Sequence, residues 1–152
     1  MASIGLACDR HRIPPTPKHW LTDQVGYLSI PVAEKLDREL RAFQDASGHH
    51  VLVYITDEKL EHEPIEEFCI VAFNAWGVGR AGHDDGVVLF VFPKADRLRM
   101  RIQVGYGLER VLSDREAVRI LREIIGPKLE AGQHDEGIEA GVAAILAEIG
   151  GA

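Results

Sequence analysis

Two unbroken apolar runs, residues 51–56 (Val-Leu-Val-Tyr-Ile-Thr) and 87–92 (Val-Val-Leu-Phe-Val-Phe), constrain the fold more than any other feature of this chain. Each is short, β-branched and aromatic, and apolar at consecutive positions, the pattern of a strand covered on both faces. Between them lies a helical stretch that Pro64 opens, with Ile65, Phe68, Cys69, Ala72, Phe73 and Trp76 as its inward stripe and Glu66 and Glu67 in the first turn, where the helix dipole favours anions. Gly77 stops it. A strand, a crossover helix and a second strand make a parallel pair. Residues 98–104 then alternate Leu98, Met100, Ile102 and Val104 against Arg99, Arg101 and Gln103, so a turn over 93–97 predicts a hairpin and an antiparallel third strand.

Helices flank this centre. Ser29 offers an N-cap and Pro31 suits a first turn, with Ala33, Leu36, Leu40 and Phe43 at helical spacing and Gly48 as the stop, which predicts a helix over 30–46. Ser113 and Glu116 match a capping box before Val118, Leu121, Ile125 and Leu129, although Gly126-Pro127 is expected to bend or end that helix. A last helix carries Ile138, Val142, Ile145, Leu146 and Ile149. Residues 20–28 read as an extended arm, and residues 1–19, with Pro14, Pro15 and Pro17, as a flexible tail. The expected architecture is α/β: a three-layer α/β/α sandwich, a small mixed sheet with helices on both faces, in one domain over 20–150.

Charge and cysteine usage exclude several classes. With 24 acidic against 17 basic residues and a net charge of −7, the chain lacks the basic face that nucleic acid requires. Cys8 and Cys69 do not suggest a disulfide framework, and no apolar run approaches the roughly 18 residues that span a bilayer. A soluble protein is expected, cytoplasmic as the chain stands, or periplasmic or lumenal if it is a piece of a longer one. Membrane association would need an anchor outside this sequence. Gly77-Val78-Gly79-Arg80-Ala81-Gly82 matches G-x-G-x-x-G, but a helix precedes it and a strand follows, the reverse of a dinucleotide site. His83 and Asp84 stand where a phosphate loop needs Lys and Ser or Thr. His49, His50 and His62 read as solvated residues near element ends, and Cys69 as core.

The acidic residues carry the remaining chemistry. The hairpin returns the end of the third strand to the start of the second, so the loop over 77–86, with Asp84 and Asp85, meets the loop over 105–109, with Glu109, ahead of Ser113 and Asp114. Asp23 lies six residues before Ser29, a span of roughly 20 Å when extended, enough to bring it back to the same rim. Converging carboxylates call for a hard cation with oxygen ligands, calcium first and magnesium second. Asp84-Asp85-Gly86 is equally a good turn, and Asp114 equally a helix N-terminal residue.

Residues 21–29 (Leu-Thr-Asp-Gln-Val-Gly-Tyr-Leu-Ser), 73–91, 101–114 and 132–142 resemble, in order, the signature blocks of the TPM domain, over roughly residues 18–150. That resemblance implies a helix-sheet-helix sandwich with a divalent-cation site on the acidic rim. In some members it implies acid phosphatase activity, and in others accessory roles in photosystem II repair or at membrane receptors. Asp23, Asp84 and Glu109 fall on the family's acidic positions, with Asp114 and Asp135 at further ones, and Asp85 stands where the family commonly has Asn. The expected function is a calcium-binding accessory or protein-interaction module. The alternative is a metal-dependent acid phosphatase acting on phosphate monoesters, with Asp84 or Asp85 as base or nucleophile.

Overall fold

Strands β1 (Leu21–Asp23), β2 (His50–Ile55), β3 (Gly86–Phe92) and β4 (Arg99–Val104) form one sheet in that spatial order. The computed structural model describes residues 13–60, 64–95 and 98–151; the first part of the tail with Cys8, His62, and turn residues Asp96 and Arg97 lie outside them. β1, β2 and β3 are parallel and β4 is antiparallel to β3. The expected arm is thus partly a strand: Leu21, Thr22 and Asp23 pair with Val53, Tyr54 and Ile55. Three residues are too few for a periodicity signal, and only the exposed edge of β2 makes them a strand.

The alternating pleat sorts the sheet into two cores. Val51, Val53, Ile55, Val87, Leu89, Val91 and Ile102 face helices α1 (Ile30–Ser47), α3 and α4 (His134–Ile149). Leu52, Tyr54, Val88, Phe90 and Phe92 face α2 (Ile65–Trp76) with Leu60 and Val78. Every residue of β3 is buried, as a strand covered on both faces must be. The fold is therefore the expected three-layer sandwich. Among the described residues no helix is long and apolar enough to cross a membrane. The tail residues from Ile13 to His19 form no helix or strand, yet Pro14 is packed, its carbonyl accepting the Trp76 Nε1–H at 2.9 Å.

Helix α3 differs from expectation at Gly126-Pro127. It runs on through an α-helical segment Asp114–Arg119, a π-helical segment Ile120–Ile125 and a second α-helical segment Gly126–Glu130. The Gly126 N–H reaches back to the Leu121 carbonyl, five residues earlier, and a Cβ at Gly126 would stand 2.8 Å from that oxygen. The wide turn absorbs the proline: Pro127 has no N–H to leave unpaired, and it opens the following segment at a position where proline is tolerated.

The α2 layer rests on one aromatic stack. Phe90 is fully buried and its ring meets those of Tyr54, Phe68, Trp76 and Phe92 at centroid separations of 6.0, 6.4, 5.8 and 6.3 Å. Phe90→Ala should lower stability by about 3–5 kcal/mol, read as a shift of the urea midpoint with an unchanged slope.

Candidate functional site

Asp85 organises the end of the sheet where β2 and β3 begin. It is 3% exposed, held by two loops and a strand start. Its Oδ1 accepts the Arg80 backbone N–H at 2.8 Å, and its Oδ2 accepts Arg80 Nε–H at 2.8 Å and Nη2–H at 2.6 Å. His49 Nδ1 lies 3.0 Å from the same Oδ2. Burial pushes this carboxyl's pKa up, but the bonds from Arg80 and His49 outweigh it and hold it well below the usual carboxylate range. Gly48 makes the arrangement possible in two ways: it caps α1 at φ 83°, and a Cβ there would stand 2.7 Å from the Arg80 guanidinium.

The two glycine loops are laced through backbone. Gly105 N–H donates to Gly86 O at 2.7 Å and Gly107 N–H to Asp84 O at 2.9 Å. A Cβ on Gly105 would run into the Asp84 carbonyl, and one on Gly107 into the His83 carbonyl. Asp84 itself adopts φ 49°, in the left-handed region that costs a non-glycine residue energy. His50 Nδ1 accepts the Gly79 N–H at 3.2 Å, which requires a neutral ring at that nitrogen. Burial lowers the His50 pKa, more than the nearby Asp85 charge raises it.

The sequence-derived acids divide between opposite ends of the sheet. Asp84, Asp85 and Glu109 lie on the joined loops, with Asp114 further on at the start of α3. Asp23 does not reach this rim. It pairs with Ile55, and Ile55 with Val91, five residues or about 16 Å along the strands from His50 and Gly86. Its carboxylate instead pins its own loop, accepting the N–H groups of Val25, Tyr27 and Leu28 at 3.2, 3.0 and 2.9 Å. Asp135 belongs to that end too: it accepts the Ser29 N–H at 2.9 Å, beside a stacked Tyr27–His134 pair. The expected convergence of Asp23 with Asp84 and Glu109 is thereby corrected, because the arm is paired in the sheet and cannot fold back.

Asp85 is also less available than expected, since both its oxygens are taken. His49 is buried and His50 half-buried, against the solvated positions expected for them. Sequence reasoning missed the His49–Asp85–Arg80 cluster. The one signal for it was that His49 immediately precedes β2 and Asp85 immediately precedes β3, which parallel pairing makes neighbours. Asp84, Glu109 and Asp114 remain exposed, with Tyr106, 80% exposed, between the loops. Among the described residues no group of three or more His, Cys, Asp or Glu side chains could hold a metal ion, so a shell built from the protein's own carboxylates does not fit here.

Acidification should weaken the fold in two windows. The folded His50 pKa lies below its unfolded value near 6.5, so its contribution is present above about pH 6.5 and is lost as pH falls below that towards the folded pKa. The folded Asp85 pKa lies below its unfolded value, so its contribution is present above about pH 4 and is lost as pH falls further. In urea unfolding from about pH 3 to about pH 8, His50→Gln should flatten the upper window and Asp85→Asn the lower. Asp85→Asn should also cost about 2–3 kcal/mol at neutral pH, less than a fully buried pair because Arg80 is half in water.

A family model described as the TPM domain matches residues 21–148. No curated protein matches the chain. Among solved structures, the solution NMR structure of the N-terminal domain of a protein from P. gingivalis is similar at 29% identity and a TM-score of 0.77, over 88% of this chain and 83% of that one. The N-terminal domain of the cg2496 protein from Corynebacterium glutamicum shares the fold at 15% identity and a TM-score of 0.63, over 90% of this chain and 83% of that one. With the family model matching nearly the whole sheet and all four helices, this chain belongs to the TPM domain family.

Proposed function

We propose that this domain is an accessory recognition module whose binding surface is the glycine-loop rim, with a divalent cation, calcium before magnesium, joining it to a protein partner. The observation that carries this reading is the contrast between Asp85, buried and paired, and Asp84, Tyr106 and Glu109, exposed on the two loops that Asp85 and the glycines hold rigid. Rigid loops carrying exposed polar and aromatic groups suit recognition. Two exposed carboxylates cannot fill the roughly six to eight oxygen positions of calcium. Asp84 and Glu109 would supply part of the shell, and water and the partner's oxygens the rest. Phosphomonoester hydrolysis is less well served, because Asp85 is engaged and the Arg80 guanidinium that could receive a phosphate is spent on it.

Thermal unfolding in EDTA, followed by titration with calcium and then magnesium, tests the cation. Calcium should raise Tm saturably, by the equivalent of about 2.7 kcal/mol at a hundredfold excess over Kd. Asp84→Ala and Glu109→Ala should each abolish the shift. Asp23→Ala should lower Tm equally with and without metal, its carboxylate being structural. No shift at millimolar calcium would remove the cation from the function.

A further inference from the structure

β4 closes the sheet on one side and, among the described residues, no strand pairs with its outer edge. Which of its backbone groups face outward follows from the register. The Gly105 N–H bonds to Gly86, the residue directly opposite, and hydrogen-bonded pairs alternate in an antiparallel ladder. Arg99, Arg101 and Gln103 therefore bond to β3, and the N–H and C=O groups of Met100, Ile102 and Val104 point away from the sheet. An open groove of about 580 Å³ flanks the start of this edge, lined by Pro64, Ile65, Glu66, Leu98, Arg99 and Met100.

We propose that the outer edge of β4 is a docking strand for an extended, acidic segment of a protein partner, which adds a fifth strand and sets its carboxylates against Arg101. Edge-strand addition draws affinity from main-chain hydrogen bonds and specificity from alternate side chains. Directly opposite residues on one face of a sheet lie within reach of each other, and opposite charges there are favourable. Arg101 shares the α2 face of β4 with Arg99, a basic strip on a chain whose net charge is −7. Its ion pair with Glu66 is 3.6 Å long and Glu66 is 70% exposed, so an incoming carboxylate displaces a partner that contributes little. The same charges select against a second copy of this chain: edge-to-edge pairing of two β4 strands would bring arginine against arginine, a common guard on exposed edges. This surface lies along the side of the sheet and needs no cation.

The test is binding of a fluorescein-labelled, acetylated heptapeptide of alternating glutamate and valine, measured by anisotropy in EDTA so that its outcome is separate from that of the cation reading. Saturable binding that weakens with salt is expected, at least about ten-fold tighter than for the lysine-for-glutamate peptide. Methylation of alternate peptide nitrogens should abolish it. Arg101→Glu should weaken it at least about five-fold, with Arg101→Gln as the milder variant should the reversal unfold the domain. In amide exchange, the N–H groups of Met100, Ile102 and Val104 should gain protection on binding while those of Arg101 and Gln103 stay as they were. Absence of binding, equal binding of the lysine peptide, indifference to N-methylation, or protection elsewhere would each overturn the proposal. So would self-association that protects the β4 edge without peptide.

Discussion

A buried aspartate with an arginine laid across it holds together the end of this molecule where function is argued to reside. Asp85 draws the Arg80 loop, the start of β2 through His49 and the start of β3 to one point, and Arg80 in turn covers the glycine that caps α1. Charge buried this way is costly unless every lone pair is met, and here both oxygens are met. The network leaves little freedom to the loop above it, so Asp84 can be kept in a backbone conformation that it would leave if released. The order at the rim is thus supplied from beneath.

The elements most visible in the sequence are those whose signal is local and repeated. The runs at β2 and β3, the stripe of α2 and the alternation of β4 each carry several residues of one period, and the structure has them within a residue or two of the expected bounds. β1 was hidden because its strand character comes from Val53, Tyr54 and Ile55, not from Leu21, Thr22 and Asp23. The continuity of α3 was hidden because a proline is read against an α-helix, and this helix changes its hydrogen-bonding step just before it. At the candidate site, the meeting of the Asp84 and Glu109 loops was legible from topology. The fate of Asp23 and Asp85 was not, since a carboxylate's partners are backbone N–H groups and side chains that only the fold brings near.

Acidic residues of one sequence pattern serve two purposes at opposite ends of the same sheet. Asp23 and Asp135 fasten the β1–α1 loop to the start of α4, and their charges are satisfied within the chain. Asp84 and Glu109 are left to solvent on loops that are otherwise fully bonded. Shared position in a motif therefore does not imply a shared ligand. The sheet between the two ends acts as a spacer whose length is set by strands β2 and β3.

The π-helical step in α3 has a consequence for how chains of this kind can vary. An α-helix advances about 100° per residue, and the wide turn at Ile120–Ile125 takes up residues that a regular helix would carry round to a different face. Removing one residue there would restore regular winding but rotate every later side chain relative to the sheet, turning Ile125 away from Gly141, against which it packs closely. Substitution within this stretch can be absorbed by local repacking, whereas a change in its length cannot. Relatives that keep this packing should be free in composition along α3 and invariant in spacing.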